Sequence, residues 1–207
     1  MEEVLEKLGE DELLRPVLDK VELRLPVVNT DIYLNLLKTI VEQQLSTRAA
    51  EAIWSRFLDH FSPYPYPDTV LATGKEDLRG LGLSYQKAGY IRNIAEFTMH
   101  QDLSFDYVNR LDDARAAEHL VQIKGVGNWT AQMILMFSLG RTDVFPMDDL
   151  IIRNAMIQLY KVESQKKQLY LELEAIAGHW RPYRSYACYV LWDWYEVHVL
   201  GRSLYGA

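Results

Sequence analysis

Apolar residues recur every three or four positions along most of this chain, which is the spacing of amphipathic α-helices. The segment after Ser46 and Thr47 shows it well, with apolar residues at helical spacing: Ala49, Ala50, Ile53, Trp54 and Phe57. No segment alternates apolar and polar residues as a strand does, and no sequence repeat or low-complexity tract occurs. The pattern therefore predicts an all-α protein.

Capping residues and helix breakers set the predicted bounds of these helices. Asp31 is expected to cap a helix over 32–42, Ser46 or Thr47 the next helix, and Asp68 a short helix after the Pro-rich loop 62–68. Ser84 is expected to cap a helix that runs to about His100. The other predicted helices lie within 2–23 (one or two helices) and over 75–81, 111–123, 128–139, 149–160, 164–178 and 181–200.

Composition places the chain among ordinary globular proteins. Its 207 residues are 49% apolar and 25% charged, enough for one large domain or two small lobes. The single cysteine, Cys188, excludes an internal disulfide framework and a four-cysteine cluster. No apolar run reaches membrane-spanning length, and the acidic N-terminal segment is unlike a signal peptide. We therefore expect a cytoplasmic protein, in the bacterial cytosol or nucleoid.

The net charge of −7 argues against a basic nucleic-acid-binding domain. Residues 1–30 hold eight acidic and four basic residues and so supply −4 of that charge, whereas residues 121–160 hold three of each. DNA binding by the neutral segment would depend on backbone N–H groups and few cations. We would then expect a weaker salt dependence than a basic domain shows.

A glycine hairpin, Ile123–Gly127, joins two apolar helices at the centre of the sequence. Its two glycines supply backbone freedom where side chains would clash, and they leave N–H groups bare at a helix start. Such groups bind anions, most often phosphate. About twenty residues on, Asp148 and Asp149 open another helix. The pair fits either helix capping alone or a reactive carboxylate.

These residues resemble the helix-hairpin-helix DNA glycosylases of the 3-methyladenine, or alkylpurine, type. The resemblance runs from about Tyr33 to Trp192. The matching stretches are IVEQQLS (40–46) with Ala49-Ala50, LRGLGL (78–83) with Lys87-Ala88, IKGVGNWTA (123–131), DVF (143–145) with Asp148-Asp149, and WRPYRSYA (180–187) with Leu191-Trp192.

The resemblance implies an all-α fold of two helical lobes with the pocket between them. Residues 36–145 would form the lobe that ends in the helix-hairpin-helix, and residues 1–35 with 146–207 the lobe that carries the catalytic aspartate. Longer family members have an N-terminal β-rich domain, which we do not expect here. The iron–sulfur cluster of the endonuclease III type is excluded because the chain has one cysteine.

Asp149 takes the catalytic role by this resemblance, and Asp148 would mainly support the helix start. Cleavage of an N-glycosidic bond develops positive charge on the sugar. A nearby carboxylate stabilises that charge and can orient or deprotonate the attacking water.

Three side chains would form the base pocket by resemblance: Trp129, Trp192 and Met133. Trp129 stands where lyase-active relatives carry a lysine, so it cannot form a Schiff base, but its ring can stack on a cationic alkylated base. For Trp192, a core position is the alternative reading. Met133 replaces a Tyr of the well-known alkylpurine member, which leaves the base preference open.

DNA contacts are implied for a second set of residues: Gln44, Leu45, Ser46, Lys124, Gly125, Gly127 and Thr130. Gln44 would fill the gap left by a flipped nucleotide, with Leu45 as the fallback unless Leu45 belongs to the core. Lys124 would contact phosphate. The backbone carbonyls of Val121, Ile123 and Gly125 would hold a structural Na⁺ or K⁺, and no other cofactor is expected. Arg184 and Ser185 fit a structural polar network better than a phosphate site.

The sequence thus predicts a monomeric, monofunctional DNA glycosylase of base excision repair. It would hydrolyse the N-glycosidic bond of alkylated purines such as 3-methyladenine and 7-methylguanine in double-stranded DNA, after the damaged base is flipped out. One alternative is a glycosylase for uracil, a deaminated purine or a mismatched base. The other is a noncatalytic DNA-binding protein that senses damage.

Overall fold

The computed structural model describes residues 1–21, 23, 25 and 27–201, with the backbone alone for Thr47. Within these ranges the chain forms helices and no strand, so the all-α prediction is confirmed. No helix in this part of the chain is both long enough and apolar enough to cross a membrane.

Helices make up most of the described chain. In order they are α1 (Glu2–Leu8), α2 (Arg15–Leu18), α3 (Ile32–Glu42), α4 (Thr47–His60), α5 (Pro67–Ala72), α6 (Lys75–Gly80), α7 (Tyr85–His100), α8 (Phe105–Asn109), α9 (Asp113–Val121), α10 (Asn128–Phe137), α11 (Leu150–Tyr160), α12 (Lys166–Gly178) and α13 (Arg184–Trp194), with a π-helical turn over Tyr195–Val199.

The chain divides into two compact units. The central unit is Val28–Leu139, and the terminal unit combines Met1–Val27 with Gly140–Ala207. The predicted boundaries between the lobes lay at residues 36 and 146 instead. Residues 28–35 join the central unit because the Asn29 N–H donates to the Phe137 carbonyl at 3.1 Å, and the Asn35 side chain donates to Ser138 Oγ at 2.7 Å.

In the central unit, α3 packs against α4, α7 and α10, while α5 and α6 pack on α7 and α9 on α10. The buried side chains of α3 are apolar or aromatic, and four of them have no exposed surface: Leu36, Leu37, Ile40 and Val41. Each such side chain contributes about 1.5–3 kcal/mol of burial free energy. The ends of α3 and α10 are therefore attached to a well-packed apolar core.

Two of the predicted helix caps are present. Asp31 accepts the Leu34 N–H at 2.9 Å, and Ser84 accepts the Lys87 N–H at 3.1 Å. The prediction that Asp68 caps α5 is wrong, because the helix begins at Pro67, whose fixed φ suits a first helical position. The short helix α8, capped by Ser104, was not predicted.

In the terminal unit, Asp11 links the N-terminal residues to Tyr160 of α11 and to Trp180. Its Oδ2 accepts hydrogen bonds from the Tyr160 hydroxyl at 2.6 Å and Trp180 Nε1 at 3.0 Å. Its Oδ1 accepts the backbone N–H groups of Leu13 and Leu14, both at 3.0 Å. The N-terminal segment predicted to be helical, residues 2–23, is thus joined to the rest of the unit by a carboxylate, and its Glu22 lies outside the described residues.

Asp11→Asn should lower the free energy of unfolding by about 1–3 kcal/mol at pH 7, because the amide nitrogen cannot accept from Tyr160 and Trp180. Burial alone would raise the pKa of Asp11, but the hydrogen bonds from Tyr160, Trp180 and the two N–H groups outweigh it and lower this pKa. The carboxylate therefore stabilises the fold above its unfolded pKa, and this contribution is lost as the pH falls through the lower folded pKa.

Urea unfolding at a series of pH values tests this, with the neighbouring exposed Glu12→Gln as the control. The difference between parent and Asp11→Asn should be full at pH 7 and should shrink as the pH falls below about 4. A constant difference across that range would contradict the role of the ionised carboxylate.

Candidate active site

Asp149 is the residue that precedes α11, and its carboxylate is fixed by two donors. Oδ1 accepts the Ile152 N–H at 2.9 Å and Trp192 Nε1–H at 3.0 Å. The residue is 8% exposed. A buried carboxylate at a helix N-terminus interacts favourably with the helix dipole and with both donors, so its orientation is well defined.

Asp148 differs from its neighbour in its surroundings. It is exposed, whereas the capping hydrogen bond is made by Asp149. The expectation that Asp148 mainly supports the helix start is therefore wrong, because α11 begins at Leu150 and the cap position falls on Asp149. One carboxylate combines the capping role with the position that the family resemblance makes catalytic.

A polar network fastens the segment before Asp149 to the start of α13. Arg184 Nε and Nη2 bond to the two carboxylate oxygens of Asp143 at 2.6 and 3.2 Å, and Arg181 Nη1 bonds to the same carboxylate at 2.7 Å. Ser185 is fully buried; its hydroxyl accepts the Val144 N–H at 2.9 Å and donates to the Arg141 carbonyl at 2.7 Å. Arg184 and Ser185 thus belong to a structural polar network, which is the role that the sequence analysis preferred for them.

Cys188 is a titratable side chain that interacts with Asp149, and it lies one helical turn before Trp192. It is fully buried. Burial and then the charge of Asp149 raise the pKa of the Cys188 thiol, although Arg184 acts in the opposite direction. The thiol is therefore neutral at physiological pH and is not a nucleophile.

The hairpin in the central unit lies between the end of α9 and the start of α10, and its two glycines differ. Gly125 has φ +108°, and a Cβ there would lie 2.3 Å from ring atoms of Tyr90. Gly127 has φ −94°, and a Cβ there would meet no atom within 4 Å. The prediction that a side chain would clash at the hairpin is confirmed for Gly125, whereas at Gly127 the described protein atoms leave room for a Cβ.

Backbone N–H groups are available at the hairpin. Within the described chain, those of Gly125, Gly127 and Asn128 find no hydrogen-bond acceptor, and the ladder of α10 begins with the Ala131 N–H on the Gly127 carbonyl at 3.0 Å. Lys124 is exposed beside them, and its carbonyl accepts from Asn93 Nδ2 at 2.8 Å. Free N–H groups at a helix N-terminus form an anion site.

The predicted carbonyl ligands for a monovalent ion also fit their role. In the part of the chain that the structure describes, the carbonyls of Val121 and Gly125 accept no hydrogen bond, and that of Ile123 accepts one, from Val126 at 2.9 Å. Each carbonyl oxygen therefore keeps a lone pair for a cation. Among all residues that the structure describes, no group of three or more His, Cys, Asp or Glu side chains could hold a metal.

The predicted pocket residues are divided between the two units. Trp129 and Met133 lie one turn apart on α10 in the central unit, the former half-buried and the latter 7% exposed. Trp192 is half-buried on α13 in the terminal unit, where it bonds to Asp149. The bond fits a core aromatic and a pocket wall alike, since a buried indole N–H usually has a hydrogen-bond partner.

Thr130 is placed differently from its prediction as a DNA contact. It is 2% exposed, and its hydroxyl accepts a hydrogen bond from Gln43 Nε2 at 3.3 Å. The side chain therefore does not reach the surface. A contact from Thr130 to DNA is left to its backbone N–H, in the first turn of α10.

The turn between α3 and α4, residues Gln43–Ser46, carries the predicted wedge. Gln44 is exposed and has φ +57°, a left-handed conformation that is uncommon for a residue with a Cβ. Leu45 is 38% exposed, so it is not a core residue. Ser46 precedes α4 and is exposed, but its side chain makes no capping bond. Strained and exposed residues of this kind cluster at functional sites.

Sequence reasoning gave no role to three residues of α7 that approach this region: Lys87, Tyr90 and Asn93. Lys87 bonds to carbonyls of the α3 end, Tyr90 covers Gly125, and Asn93 bonds to the hairpin carbonyl of Lys124. Their spacing of three residues places them along one side of the helix. That spacing and the place of Lys87 in one of the matching stretches were the available signals, and neither says what these residues contact.

Comparisons with known proteins identify the family of this chain. Residues 37–179 match the model of the HhH-GPD superfamily base excision DNA repair proteins. DNA-3-methyladenine glycosylase 1 of Schizosaccharomyces pombe is 35% identical over 164 residues, which cover 77% of this chain and 71% of the relative. A Bacillus subtilis relative is 32% identical over 174 residues; they cover 80% of this chain but only 60% of that longer protein.

A solved structure is similar over nearly the whole chain. It is a Schizosaccharomyces pombe 3-methyladenine DNA glycosylase in complex with abasic DNA, with a TM-score of 0.83, 29% identity, and coverage of 95% of this chain and 98% of that one. Sequence and structure therefore lead to one conclusion. This chain belongs to the HhH-GPD superfamily of base excision DNA repair proteins.

Proposed function

We propose that this chain is a monofunctional DNA glycosylase that hydrolyses the N-glycosidic bond of alkylated purines. It would act as a monomer on double-stranded DNA in the cytoplasm. The observation that carries the proposal is the buried Asp149 carboxylate, held by the Ile152 N–H and Trp192 Nε1–H. The names of the relatives, 3-methyladenine glycosylases, support alkylated purines as the substrates.

Asp149 would act on the sugar. As the bond to the base breaks, positive charge develops at the sugar carbon, and an oriented carboxylate stabilises that charge and positions or deprotonates the attacking water. The donors on Oδ1 hold the carboxylate in one orientation, so little reorganisation is needed at the moment of reaction. The departing base takes the bonding electron pair, and the product is an intact abasic site.

Trp129, Met133 and Trp192 would contact the flipped base. An alkylated purine such as 3-methyladenine or 7-methylguanine carries a positive charge, which strengthens stacking on an indole ring. The same charge weakens the glycosidic bond, so part of the selectivity would come from the leaving group. Met133 offers a soft apolar contact, which suits several bases and recognises no specific edge.

The hairpin and the α3–α4 turn would bind the DNA. The N–H groups of Gly125 and Gly127, with Lys124, would contact phosphate, and Gln44 would occupy the gap that the flipped nucleotide leaves. Carbonyls of Val121, Ile123 and Gly125 would hold a Na⁺ or K⁺, which would supply positive charge toward a phosphate. Leu45 and Ser46 would contact the same DNA strand as Gln44.

Oligonucleotide duplexes with single defined lesions test this function. They would carry 7-methylguanine, a 3-methyladenine analogue, uracil, hypoxanthine or a mismatch, and hot alkali would reveal abasic sites. We expect breaks at alkylated purines that depend on alkali. Excision confined to uracil, hypoxanthine or the mismatch would instead identify another glycosylase. Binding to damaged DNA with no excision at all would identify a noncatalytic sensor.

Borohydride should trap no covalent protein–DNA adduct during turnover. Trp129 stands at the position where lyase members carry a lysine, and an indole cannot form a Schiff base with the opened sugar. The measurement is a denaturing gel of the reaction with a labelled duplex, with a known bifunctional glycosylase as the positive control. An adduct mapped to any lysine of this chain would show that the enzyme is not monofunctional.

Gly127→Ala should weaken binding to every duplex, damaged or not, by about tenfold. Inside the protein the new Cβ meets no atom within 4 Å, so the change should leave folding intact and obstruct only a phosphate that approaches the hairpin. Fluorescence anisotropy with an abasic-analogue duplex measures the affinity. Gly89→Ala is the control, because its Cβ is also unopposed but lies within α7. Equal affinity of the folded Gly127→Ala and parent proteins would reject the anchoring role.

A further inference from the structure

Lys87 has an unusual pair of partners for a lysine on a helical protein. Its Nζ lies 2.8 Å from the Val41 carbonyl oxygen and 2.7 Å from that of Gln43. Both carbonyls belong to the C-terminal end of α3, where helix carbonyls lack intrahelical partners. The ammonium group therefore satisfies two such oxygens and lies at the negative end of the α3 dipole.

The bond from Lys87 acts on a strained turn. Gln44 follows Gln43 directly and has φ +57°, a left-handed conformation that is uncommon for a residue with a Cβ. Gln43 is fixed twice: its carbonyl binds Lys87 on α7, and its side chain donates to Thr130 Oγ1 at 3.3 Å in the first turn of α10. The residue before the wedge is thus tied both to α7 and to the helix that begins at the hairpin.

Two features of Lys87 keep its side chain beside the C-terminal end of α3. Its backbone N–H is bonded to Ser84 Oγ at the start of α7, and its side chain is partly buried. Burial lowers the pKa of Lys87, as expected of a cation that is partly removed from water and has no carboxylate partner in its hydrogen bonds. A surface lysine with a solvated role would not show these features.

We propose that Lys87 is a positioning residue for nucleotide extrusion: through the carbonyls of Val41 and Gln43 it holds the α3–α4 turn so that Gln44 can enter the DNA. This inference rests on the proposed function of Gln44 within a glycosylase. It assigns Lys87 to the extrusion step, separate from the bond cleavage at Asp149. Lys87 neither touches the base nor moves a proton.

The test compares Lys87→Met, which removes the donors and keeps the length, with Lys87→Arg, which keeps a cationic donor. Lys38→Met is the matched control, since Lys38 is exposed on α3 and pairs only loosely with Glu42 at 3.6 Å. Extrusion is followed by the fluorescence of a 2-aminopurine beside a stable alkylated base, in an Asp149→Asn background that slows cleavage about a hundredfold. Single-turnover excision is measured with Asp149 intact.

We expect Lys87→Met to reduce both extrusion and excision by about tenfold, with Lys87→Arg and Lys38→Met close to the parent. A double-mutant cycle with Gln44→Ala gives a second criterion. If Lys87 acts through the turn, Lys87→Met should add little on top of Gln44→Ala, because residues that act as a unit are not additive.

Parental extrusion in Lys87→Met, or full additivity with Gln44→Ala, would overturn the proposal. Should thermal melts show Lys87→Met unfolded, Lys87→Gln, with a shorter neutral donor, takes its place under the same two criteria. A parent protein that excises no alkylated purine would reject the proposed function instead. A parent that excises while Lys87→Met extrudes normally would reject only the role of Lys87.

Discussion

Asp149→Asn is expected to reduce the single-turnover rate of base excision by about a hundredfold or more. The change removes the anion that opposes the positive charge of the sugar, and an electrostatic partner of this kind contributes on the order of 3 kcal/mol. Asparagine is a favoured residue before a helix, and its Oδ1 can still accept from the Ile152 N–H and Trp192 Nε1–H. The fold should therefore change little.

Asp148→Asn is the matched control, since Asp148 is exposed and makes no capping bond, and it should retain near-parental excision. The substrate should be a stable alkylated base, because a labile one such as 7-methylguanine hides part of the effect. Binding of damaged DNA by Asp149→Asn should persist or tighten, because phosphates repel a carboxylate. If Asp148→Asn loses excision while Asp149→Asn keeps it, the assignment within the pair is reversed. If both retain it, the mechanism is wrong.

Much of the fold was predictable because it depends on local chemistry. Apolar spacing predicted the helices, and the short polar side chains of Asp31 and Ser84 marked two starts that the structure confirms. Asp68 misled because a proline one residue earlier is also a good first helical residue, and local sequence does not rank the two signals. The family and the fold class are confirmed, and the motifs that carried the resemblance lie within the matched region.

The contacts that build the site were beyond sequence pattern. Trp192 donates to Asp149 across 43 residues of chain, and Lys87 reaches the Gln43 carbonyl across 44. No periodicity relates such positions, since their proximity is produced by the packing of α11 on α13 and of α3 on α7. The family resemblance supplied Asp149 and Trp192 but could not supply the bond between them, nor a role for Lys87.

The two hairpin glycines also show which features the sequence could predict and which it could not. Their GxG spacing predicted a tight turn with bare N–H groups, and the structure has both. What the spacing could not tell is which glycine the fold itself requires. That depends on Tyr90, which lies on α7, far from the hairpin in the sequence, and packs over Gly125 and not over Gly127.

Gly125→Ala should therefore lower the free energy of unfolding by about 2–4 kcal/mol, among the largest effects expected of a single methyl group here. Two causes add. Alanine is strained at φ +108°, and its Cβ would lie 2.3 Å from Cγ and Cδ1 of Tyr90, so the ring or the hairpin must move. Thermal unfolding followed by circular dichroism measures the loss, with Gly127→Ala as the control that should melt like the parent.

Tyr90→Ala separates the two causes. In the Gly125→Ala background it removes the ring that the new Cβ meets, so part of the lost stability should return, while the strain at φ +108° should remain. The Gly125→Ala and Tyr90→Ala costs should consequently sum to more than the cost of the double variant. A parental melting temperature for Gly125→Ala would show that the hairpin adapts freely. Additive costs would place the whole effect in the backbone of Gly125 and none in its contact with Tyr90.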